Sequence, residues 1–217
     1  MIGINSRKIW GVSRRRLIQA LGGYYTTDSP AIVFDLCKPE TRDVVDKVLM
    51  NQKLDRLQIP HPITYYYPFT NMPNTSEQCV IKRRFGSRGN HQVFTTFDGF
   101  HTYFLDDNCY VQKYIRFDKE YRVGVDFKRV LGIREKIPNN RHCKIWNSKS
   151  CQYITRKDLP ELENFALKVA RQFNLDLTGI DIGLYKEKYI VIELNSQPTI
   201  GKIWAKKIKN DLLERLC

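Results

Sequence analysis

Long apolar runs are missing from this 217-residue sequence. No stretch of about 18 or more apolar residues occurs, so no segment has the length and composition of a membrane-crossing helix. The first residues, Met1-Ile2-Gly3-Ile4-Asn5-Ser6-Arg7, lack the apolar core of a signal peptide, and a soluble cytoplasmic protein without membrane contact is expected. Cys-x-x-Cys pairs are absent too. The six cysteines, at 37, 79, 109, 143, 151 and 217, lie too far apart for a small disulfide scaffold and are expected to be reduced thiols. The four histidines, His61, His91, His101 and His142, show neither helical pairing nor zinc-ligand spacing with cysteine. There is no internal repeat, low-complexity tract or Gly/Ser-rich linker, so nothing in the composition divides the chain into independent units.

Apolar residues make up 42% of the chain, enough for one sizeable core or two small lobes that share an interface. Lysine and arginine number 36 against 23 acidic residues, a net charge of +13 that favours polyanionic partners such as nucleotides, nucleic acid or acidic polypeptide tails. A helix is expected from near Pro39 through Val44, Val45, Val48, Leu49 and Leu54 to about Leu57, stopped by Ile59-Pro60-His61-Pro62. Short β-type runs follow at residues 79–82, 92–95, 102–105, 110–115, 121–125 and 129–133. Turns such as Asp98-Gly99 and Asp106-Asp107-Asn108 join several of them and suit an antiparallel sheet. A second helix starts at Asp158, with Asp158 and Glu161 in capping-box positions and Leu162, Phe165, Ala166, Val169, Ala170 and Phe173 on one face. Two strands, Gly179 to Leu184 and Tyr189 to Leu194, flank a charged turn at Lys186-Glu187-Lys188, and a basic amphipathic helix is expected from about Ile203 to Leu216.

The last hairpin carries the chemistry. Alternation sends Asp181, Glu193 and Asn195 to one face while Ile180, Ile182, Ile192 and Leu194 fill the other. Carboxylates placed among apolar strands are costly unless paired or bound to a cation. Three hard oxygen donors suit Mg2+, which takes its remaining ligands from phosphates and water.

In this segment, Gly179-Ile180-Asp181-Ile182 followed by Glu193-Leu194-Asn195-Ser196-Gln197-Pro198 resembles the signature of the ATP-grasp superfamily, Gly-Val-Asp then Glu-x-Asn-x-x-Pro. The spacing of twelve positions from Asp181 to Glu193 is that of the RimK-type branch, ligases that add glutamate to a ribosomal protein. The resemblance implies that Asp181, Glu193 and Asn195 hold Mg2+, or Mn2+ in its place. Upstream matches come in the family's order. Asp46-Lys47 resembles an Asp-Lys pair in its first helix, and Ile59-Pro60-His61-Pro62-Ile63-Thr64 its exit, with Gln58 standing where the family has glycine. Val80-Ile81-Lys82 with Gly86-Ser87-Arg88-Gly89 resembles the strand lysine and phosphate-covering loop, which assigns Lys82, Ser87 and Gly89 to ATP, although His91 stands near a usual second glycine. Tyr110 to Ile115 resembles the hinge between lobes. There the backbone of Lys113, Tyr114 and Ile115 would read adenine with help from Gln112. Glu120-Tyr121-Arg122-Val123 implies Glu120 on the ribose and Arg122 beside phosphate or substrate carboxylate. Ile133-Arg134-Glu135-Lys136 implies Lys136 as a phosphate cation and catalytic group, and Asn147 matches the asparagine of an Arg-x-Asn or Arg-Asn element whose arginine is missing here.

The resemblance therefore implies an α+β ATP-grasp fold, two α/β lobes with mainly antiparallel sheets gripping ATP. Residues 1–40 would be a reduced segment ahead of a domain at 41–217, with lobes at about 60–112 and 113–217. It implies a carboxylate-amine ligase working through an acylphosphate. The +13 charge points to an acidic polypeptide or nucleic acid as the amine acceptor, reached through a basic cleft formed by Arg83, Arg84, Arg88, Lys202, Lys206 and Lys207. Two alternatives stand beside it: a kinase on the same fold, and a non-catalytic basic nucleic-acid-binding protein.

Overall fold

The structure, a computed structural model, describes residues 2–5, 32–35, 43–86, 92–103, 105–126, 129–139 and 151–196. Two strands that sequence patterning did not reveal, β1 (Ile2–Asn5) and β2 (Ile32–Asp35), pair in parallel near the N-terminus. Residues 43–45 are helical, the chain bends at Asp46, and helix α1 spans Lys47–Arg56. The expected continuous helix is broken because Asp46 adopts extended dihedrals and its carboxylate accepts from the N–H groups of Val48 and Leu49, which makes it an N-cap.

A four-stranded antiparallel sheet follows in the order β3-β6-β4-β5, built from β3 (Thr64–Tyr66), β4 (Gln78–Arg83), β5 (Val93–Thr96) and β6 (Cys109–Lys113). Where a strand was expected at 102–105, a 3-10 turn at Phe100–Thr102 stands instead. The second sheet is five-stranded and antiparallel, in the order β11-β10-β7-β8-β9. Its strands are β7 (Lys119–Asp126), β8 (Arg129–Pro138), β9 (Cys151–Arg156), β10 (Leu177–Tyr185) and β11 (Lys188–Asn195). Helix α2 (Pro160–Gln172) lies between β9 and β10 in sequence. Its cap is Leu159 rather than the expected capping box, because Pro160 at the first helical position turns its predecessor away from helical dihedrals, to φ −117° and ψ 68°, and Asp158 stands in the left-handed region at φ 58°.

Strands β7, β8 and β10 obey period 2, whereas β11 carries a bulge where its register with β10 shifts between Asp181 and Ile182, so that Val191, not the expected Ile192, enters the core with Leu194. Tyr121, Val123 and Val125 of β7, Ile133 of β8, Ile180 and Ile182 of β10, and Val191 and Leu194 of β11 enter one apolar cluster. Leu162, Ala166, Val169 and Ala170 of α2 and Met50 and Leu54 of α1 join it. Cys79, Ile81, Phe97, Cys109 and Val111 form a second cluster under the four-stranded sheet. Cys79, Cys109 and Cys151 are buried free thiols, as expected. Among the described residues no helix is long and apolar enough to cross a membrane. The C-terminal helix expected at 203–216 lies outside the described residues.

The Lys186-Glu187 turn between β10 and β11 holds both residues at positive φ, 48° and 62°, the backbone of a two-residue hairpin whose twist matches its strands. Both long helices end in the same way. After α1, Ile59 N–H donates to Leu54 C=O and Gln58 N–H to Asp55 C=O. After α2, Leu175 donates to Ala170 and Asn174 to Arg171. These are paired C-terminal bonds that need a left-handed residue, here Gln58 at φ 53° and Asn174 at φ 53°. Asparagine adopts that conformation at little cost and glutamine at a larger one. Gln58→Gly is expected to stabilise the fold by about 1 kcal/mol, read as a raised urea midpoint at constant m, whereas Asn174→Gly should change it by only a few tenths.

Candidate functional site

Residues on the second face of the five-stranded sheet line up across the strands. Glu193 on β11 lies opposite Asp181 on β10, Asp181 opposite Arg122 on β7, and Arg122 opposite Arg134 on β8. Side chains directly opposed on antiparallel strands stand about 5 Å apart at Cβ, so this row places two acids beside two cations. One turn of the pleat along, Gly183, Glu120 and Lys136 form the next row. Gly183 has a packing reason: a Cβ there would meet the Phe117 ring at 2.2 Å.

Asp181 is buried and held from two sides. Arg122 grips it in a fork, Nε to Oδ1 at 2.9 Å and Nη2 to Oδ2 at 2.7 Å, while Lys136 Nζ stands 3.3 Å from Oδ1. Burial alone would raise the Asp181 carboxyl, but Lys136 and Arg122 outweigh it and hold the group down to about 2. Lys136 also contacts Glu120 Oε2 at 3.3 Å. Burial works against its charge, yet Asp181 and Glu120 keep its ammonium above the ordinary lysine value. For Glu120 burial wins, and its carboxyl is raised despite Lys136.

Opposite this face stands Lys82 of β4. Burial lowers its ammonium, with Lys47 and Lys136 acting in the same direction against Glu193 and Glu120. Lys82 lies within electrostatic reach of Glu193 and Glu120 on the five-stranded sheet and of Lys47 on α1, and the Gln112–Asn51 hydrogen bond and the Lys47–Glu193 ion pair bring the two sheets and α1 together beside it. Its Nζ donates to Gln112 Oε1 at 2.6 Å. Gln112 is buried with its amide fully engaged, because Nε2 donates to Asn51 Oδ1 and Thr64 Oγ1, both at 3.0 Å. Its side chain thus supports Lys82 through Oε1.

Helix α1 supplies a cation that the sequence reading matched but gave no role. Lys47 Nζ lies 2.7 Å from Glu193 Oε1 and donates to Leu194 C=O at 2.8 Å. Its neighbour Asp46 takes three hydrogen bonds from Arg84, at 2.7 to 2.9 Å, while Lys47 N–H donates to Arg84 C=O. Arg84 is consequently spent on anchoring the end of β4 to α1 and is not a free cation of an open basic cleft. Arg83 is exposed, and Arg88, Lys202, Lys206 and Lys207 lie outside the described residues.

At the hinge, the N–H groups of Lys113 and Tyr114 donate to the carbonyls of Ile63 and Gln78, so neither is available to a purine acceptor. Ser87, Gly89 and Asn147 lie outside the described residues. The structure brings Lys82, Glu120, Arg122, Lys136, Asp181 and Glu193 to one cleft. Asn195 sits two residues beyond Glu193 on β11, opposite Gly179. Its Nδ2 is buried without a hydrogen-bond partner among the described residues, and turning the amide over would place the oxygen there. Among the described residues no three His, Cys, Asp or Glu side chains gather as a metal cluster. Two opposed carboxylates and an unsatisfied amide make a hard oxygen donor set of the kind that fits a divalent cation.

The RimK-like ATP-grasp domain profile matches residues 68–216. The chain belongs to the RimK-like ATP-grasp domain family. No curated protein matches it in sequence. Among solved structures it is similar to a RimK domain protein from Sphaerobacter thermophilus DSM 20745, at TM-score 0.62 and 13% identity, over 96% of this chain and 98% of that one. It is also similar to the ATP-grasp ligase PsnB complexed with a minimal precursor, at TM-score 0.61 and 13% identity, over 86% of this chain. It spans 64% of the PsnB chain. A D-alanine–D-alanine ligase from Bacillus anthracis matches at TM-score 0.60 and 14% identity, over 82% of this chain and 69% of that one. At these identities the likeness shows the ATP-grasp fold.

The RimK-like match begins after α1, so Asp46, Lys47 and Asn51 are carried into the site by geometry. Their sequence signal is a polar stripe, Lys47 and Asn51, running into Leu54 on the buried side of the helix. Asp46 serves as cap and as Arg84 acceptor, and two substitutions separate those roles. Asp46→Asn keeps a cap and should cost about 1–2 kcal/mol through the weakened Arg84 fork, while Asp46→Ala should cost about 2–4 kcal/mol by removing both, measured by urea unfolding.

Proposed function

We propose that this domain binds ATP with Mg2+, or Mn2+, in the cleft and uses it to join a carboxylate to an amine. The observation that carries the reading is the charge arrangement. Buried Asp181, fixed between Arg122 and Lys136, and Glu193, held by Lys47, face Lys82 across a cleft shared by both sheets. Structural acids do not require this many cations on a family-matched ATP-grasp frame, whereas nucleotide phosphates and a divalent metal do.

Asp181, Glu193 and Asn195 would hold the cation, which when bound neutralises phosphate charge. Lys82 and Lys136 meet the phosphates, with Ser87 and Gly89 in the covering loop. The Lys113 and Tyr114 carbonyls and the Ile115 backbone read adenine, and Glu120 takes the ribose. Arg122, with Asn147, faces the reacting carboxylate. A carboxylate oxygen attacks the γ-phosphorus, the bond to the β-bridging oxygen breaks, and ADP leaves with an acylphosphate formed. The amine then attacks the acyl carbon, loses a proton and displaces phosphate. The chain's residues align two anions that repel each other and exclude the water that would hydrolyse the acylphosphate.

Mg-ATP should raise the melting temperature, since it binds only the folded state. Lys82→Ala and Lys136→Ala should shrink that shift, Glu193→Gln should fold yet lose metal-dependent ATP turnover, and Asp181→Asn should lose the same turnover together with about 3–5 kcal/mol of stability as Arg122 and Lys136 are stranded. Unchanged affinity and turnover across these variants would remove the site assignment. Release of free phosphate together with ADP supports ligation. A stable phosphorylated product would establish a kinase, and absence of ATP binding would leave a basic binding protein.

The net charge of +13 favours an acidic polypeptide as the amine acceptor. Its use should fall steeply between low and moderate salt, because exposed charges are screened over about 10 Å at 0.1 M, while ATP binding changes less. Salt-independent ligation of two small amino acids would overturn the macromolecular acceptor and keep the ligase.

A further inference from the structure

Asn51 is fully buried in α1, and Gln112 is buried on β6 against it. Two buried amides at a helix–sheet seam are an expensive choice where leucine or methionine would pack, unless each polar atom is satisfied. Here they are satisfied in one direction only. The Lys47 carbonyl can only accept, so Asn51 must present Nδ2 to it, at 2.6 Å, and turn Oδ1 outward. That oxygen in turn accepts from Gln112 Nε2 at 3.0 Å. Thr64 acts in the same sense: its hydroxyl donates to Pro62 C=O at 2.8 Å, which leaves Oγ1 as an acceptor for the other Nε2 hydrogen. With both hydrogens of Nε2 claimed, the only group Gln112 can offer to Lys82 is its carbonyl oxygen, 2.6 Å from Nζ. The chain of bonds is a polarity filter that starts at a backbone carbonyl of α1 and ends on the cleft lysine.

We infer that Asn51, acting through Gln112, is a positioning residue for Lys82, fixing the amide so that an oxygen holds the ammonium in the cleft. Neither residue touches the ligand in this role. The inference rests on the proposal that Lys82 meets the ATP phosphates. Remove Asn51 and the Gln112 amide loses its main orienting acceptor. Its NH2 end can then turn to Lys82, where two donors face each other and the ammonium is displaced. Asn51 also borders Lys47, so a general loosening of α1 would reach the cleft by a different route. The test must separate the two.

The experiment is a double-mutant cycle read by calorimetric affinity for Mg-AMP-PNP, using the full chain as wild type, Asn51→Leu, Lys82→Ala and the pair, with melting temperatures taken without nucleotide. Asn51→Leu should weaken binding about tenfold in the presence of Lys82, the size expected for a misplaced charge-assisted bond, and should have no effect in the Lys82→Ala background. Equal weakening in both backgrounds would overturn the inference and assign Asn51 to the scaffold, as would wild-type affinity in Asn51→Leu. Unchanged affinity in Lys82→Ala alone would instead overturn the phosphate role of Lys82, and the inference with it. If Asn51→Leu fails to fold, Thr64→Val removes the second acceptor of the same amide, and the same cycle with Lys82→Ala decides, with a smaller loss of about threefold expected.

Discussion

Asp181 can remain ionised at the floor of the cleft only because Arg122 and Lys136 surround it, and much of the site follows from that requirement. Removing one partner from a buried ion pair strands the other charge, at a cost of about 3–5 kcal/mol, so the sheet must deliver all the groups in register. It does so by pairing β10 with β7 and β7 with β8, which sets Asp181 opposite Arg122 and Glu120 opposite Lys136. Glu193, less buried, takes its cation from outside the sheet, from Lys47 of α1. Without ligand, the cleft neutralises itself. On the proposed reading, phosphate and metal enter by exchange: the cations turn from carboxylates to phosphate oxygens as the carboxylates turn to the metal. The net electrostatic gain is then the difference between two well-compensated states, which lets a strongly charged ligand bind without a strongly charged, unstable empty site.

Neutral hydrogen bonds complete what charges leave unfixed. Coulomb attraction falls slowly with distance and hardly depends on angle, so it gathers Lys82 near Glu193 and Glu120 without setting where its ammonium points. Amides have direction. The Lys47 carbonyl, Asn51, Gln112 and Thr64 turn a helix–sheet contact into an orienting frame, and the cost of burying these groups is offset because each donor has an acceptor.

The hairpin at 179–195, its turn and the opposed Asp181 and Glu193 were legible because alternation is a local property, but alternation alone put Ile192 in the core where the bulge in β11 places Val191. The strands at 121–125 and 129–133 were legible for the same reason, and the resemblance supplied the order in which they matter. What escaped depended on contacts remote in sequence. A bend at Asp46 cannot be foreseen without Arg84, which lies 38 residues away. The support that Gln112 gives Lys82 escaped because its partners, 30, 48 and 61 residues distant, were invisible. Arg84 counted as free charge for the same reason. At Asp158 the error was local: Asp-x-x-Glu satisfies the capping-box pattern, but Pro160 shifts the helix start by one residue and overrides it.

Helix α1 stands outside the matched family segment, yet the five-stranded sheet is not complete without it. Met50 and Leu54 enter the larger core beside α2, and the Met50 sulfur accepts from Leu194 N–H at 3.3 Å. Pro60, just past the helix, accepts from Val191 N–H at 2.8 Å, and Lys47 caps Leu194 C=O. These bonds satisfy backbone groups of β11, an edge strand whose outer side would otherwise be exposed to other chains. The same helix turns Asn51 toward the four-stranded sheet. One element therefore seals the strand that carries Glu193 and Asn195 and orients the lysine opposite them, so the spacing between the two sides of the cleft is set by α1. A binding unit drawn from the matched segment alone would keep the acids and lose the element that aligns them with Lys82.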